Sequence, residues 1–285
     1  MNRTRVTLLF ATLLVTSLVS LLAAPPVVAK DAKCSLDAML VGQTCVDIFE
    51  ATLWGIPPDQ TGLIKNVRNG KATFADLTAG GATQHGCTAA PFGHTAIPGT
   101  FPVTGNWTVA HYAASIPGVL PSACVSFFQA EQACALSGKR LLTNQEWQRA
   151  VAGTVDPGSN DAVTLGNTMC HTGGTVPRNT GLAGATPGGA DSCISNWSVQ
   201  DMVGNVHEWV GDWGDLASSG CTNWSATFGD DSSCVGDGTA TGATLPGALY
   251  RGGRWSSGTN AGVFAVAGDG SPSFAGEANG FRCGR

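Results

Sequence analysis

Residues 194–213 read ISNWSVQDMVGNVHEWVGDW, the densest run of large side chains in the sequence. Trp197, Trp209 and Trp213 are expected to pack inward, with Asp201 and Glu208 standing among them. Gly204 and Val206 lie between the two carboxylates, so their carbonyls can face the same way. A hard cation such as calcium takes this mixture of carboxylate and backbone oxygen. The spacing is not that of an EF-hand loop, and on spacing alone the favoured reading is two carboxylates capping turns beside buried tryptophans.

C-terminal to this run, Arg251–Gly262 reads RGGRWSSGTNAG, and the chain ends VFAVAGDGSPSFAGEANGFRCGR. The tail is mostly Gly, Ala and Ser, framed by Trp255 and by Gly280-Phe281-Arg282-Cys283. Such a segment supplies little core. It reads as a surface held by its edges.

The N-terminus has Arg3 and Arg5, then a nearly unbroken apolar run from Val6 to Ala24, then small residues at Val27-Val28-Ala29. This is the layout of a secretory signal peptide over residues 1–29. An uncleaved membrane anchor is the minority reading. Residues 30–285 are long enough for one domain with a sizeable core. The expected location is outside the cytoplasm: periplasmic, cell-surface or extracellular. Charged residues make up 12% of the chain and the net charge is -5, which argues against nucleic acid or an anionic membrane surface as partner. The glycine content, 39 residues, predicts many loops, while eight tryptophans and eleven phenylalanines require burial.

Ten cysteines in an exported chain read as disulfides. Bracketing of loops suggests Cys34 with Cys45, Cys87 with Cys124, Cys170 with Cys193 and Cys221 with Cys234. Cys134 and Cys283 are left over, and spacing alone does not fix connectivity.

Two helices are legible. Ser126 with Gln129 makes a capping box before Phe127, Ala130 and Cys134 on one face, and Gly138 stops the helix. Thr143 with Glu146 makes a second box before Trp147, Ala150 and Val151, ended by Gly153. Elsewhere, short apolar runs between Gly, Pro, Asn and Asp clusters predict brief strands and long loops.

Familiar catalytic motifs are missing from the sequence. The histidines, His85, His94, His111, His171 and His207, include no pair at metal-binding helix spacing, and there is no Gly-x-Ser-x-Gly elbow. Asp230, Asp231 and Asp237 beside Cys234 read as a solvated acidic loop.

Four stretches in order, CVDIFEATLWG, GKRLLTNQEWQRAVAG, DMVGNVHEWVGDW and YRGGRW with GFRCGR, resemble the formylglycine-generating enzyme, or sulfatase-modifying factor, family. They run from about Cys45 to Arg285. The resemblance implies an α+β fold of the C-type-lectin-like kind, with a small twisted sheet, two short helices and many loops. It implies a Cys134–Cys283 disulfide. It also implies a structural calcium ion held by Asp201 and Glu208 side chains and Gly204 and Val206 carbonyls, which reverses the capping reading. Leu142 departs from the family, which usually has proline there.

The family's enzymes bind copper through two cysteines just after the GGRW motif. The matching positions here fall near Ser257 and Gly262, neither of which forms a thiolate, so copper is not expected at them. The tail is similar, in turn, to the variable regions of proteins diversified by adenine-mutating retroelements, which use a lectin-like fold for display. That likeness implies a framework of Arg251, Gly252, Gly253, Trp255, Phe264, Pro272, Phe281 and Arg282 around a variable region over residues 254–279.

The resulting expectation is a secreted ligand-binding module whose partner is a protein or a glycan. Its candidate contacts are Arg254, Ser256, Ser257, Asn260, Asp269, Ser271, Ser273, Phe274, Glu277 and Asn279. The alternatives are an enzyme with an altered active site on the same scaffold, and a disulfide-tied envelope protein without a specific ligand.

Overall fold

Three of the helix starts follow the capping chemistry of the sequence. The computed structural model describes residues 33–156, 170–182, 192–216, 222–235 and 246–285. The expected signal peptide, Cys221 and Asp237 lie outside them. In chain order the elements are β1 (Ala38–Val41), β2 (Thr44–Asp47), β3 (Ala51–Gly55), α1 (Thr61–Arg68), α2 (Phe74–Ala79), β4 (Thr83–His85) and β5 (His111–Ser115). Then come α3 (Phe127–Leu136), β6 (Arg140–Leu141), α4 (Asn144–Ala150), β7 (His207–Asp215), β8 (Thr222–Asn223) and β9 (Ser232–Cys234). The chain closes with β10 (Pro246–Arg251), β11 (Val266–Gly270), β12 (Asn279–Phe281) and β13 (Cys283–Gly284).

The fold is mixed α and β, as expected. Ser126 and Thr143 cap α3 and α4 through complete capping boxes, and Gly138 and Gly153 follow them in left-handed backbone. Two further helices correct the expectation of two. At α2, Thr73 and Asp76 form a third capping box that the sequence does display. At α1, Gln60 provides no side-chain cap, and the helix is held by burying Leu63 and Val67.

The strands form three sheets. One runs β1-β2-β13-β6, so the chain's end lies between the N-terminal hairpin and the residues after α3. The second runs β4-β3-β5. The third runs β12-β7-β10-β11-β9-β8 and carries the tail. The β12–β7 pair is parallel, with Asn279 opposite His207 and Phe281 opposite Trp209.

Core layers fill the spaces between these sheets and helices. Trp147, Leu142, Met202 and Val210 make one apolar cluster; Trp209, Phe127, Phe101 and Phe281 make a second; Trp54, Tyr112 and Leu77 make a third against α1 and α2. Trp209 is buried, but Trp197 and Trp213 are half-exposed, against the expectation that all three pack inward. A register shift between Trp209 and Trp213 on β7 leaves Trp213 at the border, edge-on to Phe127 and beside Phe128.

The disulfides Cys34–Cys45, Cys87–Cys124, Cys170–Cys193 and Cys134–Cys283 are formed as expected, and Cys234 is disulfide-bonded. Among the described residues no helix is long and apolar enough to cross a membrane.

Candidate functional site in the C-terminal tail

The tail leaves the sheet at Gly252 and Gly253, both in left-handed backbone. A side chain at Gly252 would fall 2.5 Å from the Met202 carbonyl, and one at Gly253 would fall 2.3 Å from the Ala261 methyl. Only glycine lets the strand turn this closely over the core. Trp255 follows, buried, with its ring edge-on to Phe92 at 6.0 Å. Its amide donates to the Asn205 carbonyl and its own carbonyl accepts from Gly174.

At the other end, β12 joins the sheet and Cys283 is bonded to Cys134 of α3. Between these ends the tail borders a cavity of about 530 Å³. Arg254, Ser257, Asn260, Asp269, Phe274, Glu277 and Asn279 line it. Ser256, Ser271 and Ser273 lie off its wall, and the hydroxyls of the last two share a hydrogen bond at 3.3 Å.

The floor comes from residues the sequence does not single out. His207 of β7 and Tyr250 of β10 meet with ring centroids 4.6 Å apart and planes tilted by 51°. Burial and then the Arg254 charge push the His207 imidazole down to about 3, so it is neutral. Its Nδ1 is enclosed without a hydrogen-bond partner, and so is Nδ2 of the 5%-exposed Asn279. The Tyr250 hydroxyl donates to Asp269; burial first, and then that carboxylate, raise the phenol above its usual range. The wall therefore combines a cation, carboxylates, an exposed phenyl ring at Phe274 and two polar atoms still owed a partner. Register is what brings His207 here, since it stands opposite Asn279 across the parallel pair.

The positions matching the family's cysteines are also placed. Ser257 lines the cavity, and its Oγ accepts from the Arg254 amide. Gly262 faces Asp231: a Cβ there would fall 1.8 Å from Asp231 Oδ1. Asp231 is fully buried and accepts from the Phe264 amide at 2.6 Å, which corrects its reading as a solvated loop residue. Burial raises its carboxyl to about 7.

The two carboxylates among the expected calcium ligands, Asp201 and Glu208, sit in one buried ionic cluster. Asp201 Oδ1 accepts from Arg178 at 3.0 Å and Oδ2 from the Gly181 amide at 3.3 Å. Glu208 Oε1 accepts twice from Arg282, at 2.9 and 2.7 Å, while Oε2 accepts from Trp147 Nε1 at 2.7 Å and Arg282 Nε at 3.2 Å. Glu50 completes the cluster, accepting from the Val206 amide and from Asn205 Nδ2. Its carboxyl is raised well above the usual range by burial, then by Asp201 and Glu208. As arranged, the set does not fit a calcium ion, because donors already fill the lone pairs of Glu208. An ion there requires Arg282 to release Glu208.

The sequence model described as the sulfatase-modifying factor enzyme 1-like domain matches residues 99–285. Hercynine oxygenase of Mycobacterium tuberculosis (strain ATCC 25618 / H37Rv) is 35% identical over 100 residues, which are 33% of this chain and 22% of that protein. The match thus spans under a quarter of that relative's length. Among solved structures, the Major Tropism Determinant U1 variant is 19% identical with a TM-score of 0.46, covering 87% of this chain and 52% of that one. Treponema denticola variable protein 1 is 23% identical with a TM-score of 0.32, covering 51% of this chain and 47% of its own.

Proposed function

The chain belongs to the sulfatase-modifying factor family, and from that premise we propose that it is an exported ligand-binding module whose site is the cavity under the C-terminal tail. The observation that carries this reading is the pair of unsatisfied polar atoms, His207 Nδ1 and Asn279 Nδ2, on residues lining a cavity that also presents Arg254, Glu277 and Phe274. Buried polar groups left without partners in the free protein are matched by a ligand's own donors and acceptors. Small hydroxyl and amide side chains beside the exposed Phe274 ring suit adaptable recognition of a protein or glycan surface. The disulfides fit an oxidising compartment outside the cytoplasm.

Cysteine-oxidase chemistry is not part of the proposal. Ser257 has no thiol, and Asp231 fills the space a side chain at Gly262 would need.

An enzyme with an altered site is the second reading, and perturbed groups near the cavity favour it. Their directions weigh against it. A general acid or base works best with its proton affinity near the operating pH. The His207 imidazole at about 3 stays neutral there, and the Tyr250 phenol stays protonated. Asp231, at about 7, is poised but is not on the cavity wall.

A glycan and protein array probed with the purified chain tests the proposal. Arg254→Ala and Glu277→Ala should each weaken the hits without changing the melting temperature. Hits that survive both changes at full strength would place recognition elsewhere. A reverse transcriptase and a near-copy of the tail in the flanking DNA would make the tail a diversified one.

A further inference from the structure

We propose that the cavity under the tail, which the preceding proposal makes the binding site, holds an acidic sugar: a single carboxylate on Arg254, and ring hydroxyls against the rest of the wall. Two arginines line the cavity, and they differ. Arg251 is engaged, since its guanidinium donates to Gln148 and to the Val263 carbonyl and lies over the Trp147 ring at 4.5 Å. Among the described residues the Arg254 guanidinium forms no ion pair and no hydrogen bond. Its contact is the Trp255 ring, 5.9 Å away.

The backbone holds this cation at the cavity. Gly252 and Gly253 turn the strand, and the Arg254 amide then donates to Ser257 Oγ at 3.1 Å, so the side chain leaves from a fixed turn. After burial, the Arg254 charge is the second influence keeping the His207 imidazole neutral, so the guanidinium stands close to that ring. Asn279, 5% exposed, lies opposite His207 across the parallel strand pair, and both line the cavity. Its Nδ2 and His207 Nδ1 have no hydrogen-bond partner. A neutral imidazole carries one proton, and with Nδ1 unclaimed by the protein a ligand oxygen can draw it there. Guanidinium, amide NH2 and imidazole N–H are thus three donors on one wall. An oxyanion supplies the acceptor that they lack.

The rest of the wall sets the charge and the kind of ligand. Asp269 and Glu277 also line the cavity, and both are exposed. A doubly charged phosphate ester would face two carboxylates with one unengaged cation to offset them, and like charges repel. A single negative charge meets that limit. The guanidinium fork matches the two oxygens of a carboxylate. Carboxylates on the wall only accept, so the remainder of the ligand has to donate. Asp269 already accepts from the Tyr250 hydroxyl and keeps further lone pairs. A ring bearing several hydroxyls beside one carboxylate answers this pattern. An acidic peptide side chain offers its carboxylate without hydroxyls beside it. Phe274, 53% exposed on the same wall, gives the C–H face of the ring an apolar surface. The cavity volume, about 530 Å³, lies within the range of about 300–1,000 Å³ typical of small-ligand sites.

The probe is methyl glucuronide, titrated into the purified chain and followed in proton-nitrogen spectra. Its counterpart is the methyl ester of the same compound, which keeps every ring hydroxyl and removes the charge. The acid should bind one to one and move the side-chain resonances of Arg254, His207 and Asn279. The ester should bind more than about tenfold more weakly, the loss that one charged hydrogen bond accounts for. Arg254→Gln should bring the acid down to the level of the ester and leave the ester as it was. Lys65→Gln, exposed on α1, should change neither.

The comparison of acid with ester needs no variant, so it decides even where Arg254→Gln folds poorly. Equal binding of the two, with Asn279 and His207 shifting in both, would overturn the acidic sugar and leave the cavity as the binding site. Shifts confined to residues away from the cavity would overturn both. No saturable shift with the glucuronide would overturn the acidic sugar, and so would a glutamate-bearing peptide that binds more tightly and depends on Arg254.

Discussion

Single residues in this protein carry their meaning through what lies across the fold from them. Arg282 is fully buried; beyond Glu208 it donates to the carbonyls of Asp47, Ile48 and Gln200. A cation with that many acceptors does the neutralising that a metal would otherwise do. The expected result is a melting temperature that a calcium chelator leaves unchanged. A drop on chelation, abolished by Glu208→Ala, would instead show a bound ion stabilising the fold by linkage. Asp231 gives a second test. Its folded carboxyl, at about 7, binds a proton more tightly than the unfolded chain's, near 3.8. Its contribution to stability is therefore full below about pH 4 and is lost as pH rises through about 7. Asp231→Asn should remove that part of the slope, so stability measured by urea melts at pH 5 and pH 8 should differ less than in the parent. An identical pH dependence would show that Asp231 ionises freely in the fold.

At the scale of elements, the tail is a loop system between two fixed ends. The aromatic anchors and the cavity rim should respond differently to truncation. Trp255→Ala and Phe281→Ala remove buried rings and should cost about 3–5 kcal/mol in urea melts. Phe274, 53% exposed, should cost no more than about 0.5 kcal/mol on truncation to alanine. Equal losses at all three would make the tail part of the core. The helices divide in the same way between local and distant causes. Ser126, Thr143 and Thr73 announce α3, α4 and α2 through capping boxes, whereas α1 has no cap and exists because Leu63 and Val67 pack against the β3 and β5 side chains Trp54 and Tyr112.

The whole molecule is closed by its own C-terminus. Arg285 exchanges both backbone hydrogen bonds with Cys45, and β13 lies between β2 and β6. The Cys134–Cys283 bridge spans 149 residues. In the chain-entropy account a loop of that length is worth about 4–5 kcal/mol, so replacing both cysteines with serine should lower the unfolding free energy by up to that amount. A loss well under about 1 kcal/mol would mean that the sheet already holds the tail without the bond. The sequence by itself determined what depends on neighbours along the chain: two capped helices and a small-residue tail framed by Trp255 and Phe281. Its long motifs, taken together, also determined the family. Tertiary structure decided what depends on register between strands far apart in sequence. It put His207 beneath Asn279, Tyr250 against Asp269, Arg282 on Glu208, and His85 and His111 over Gly55. The physical reason is that a cap or a turn is a local hydrogen-bonding choice. A pairing register is fixed only when many buried side chains fit at once, and no single segment contains that information.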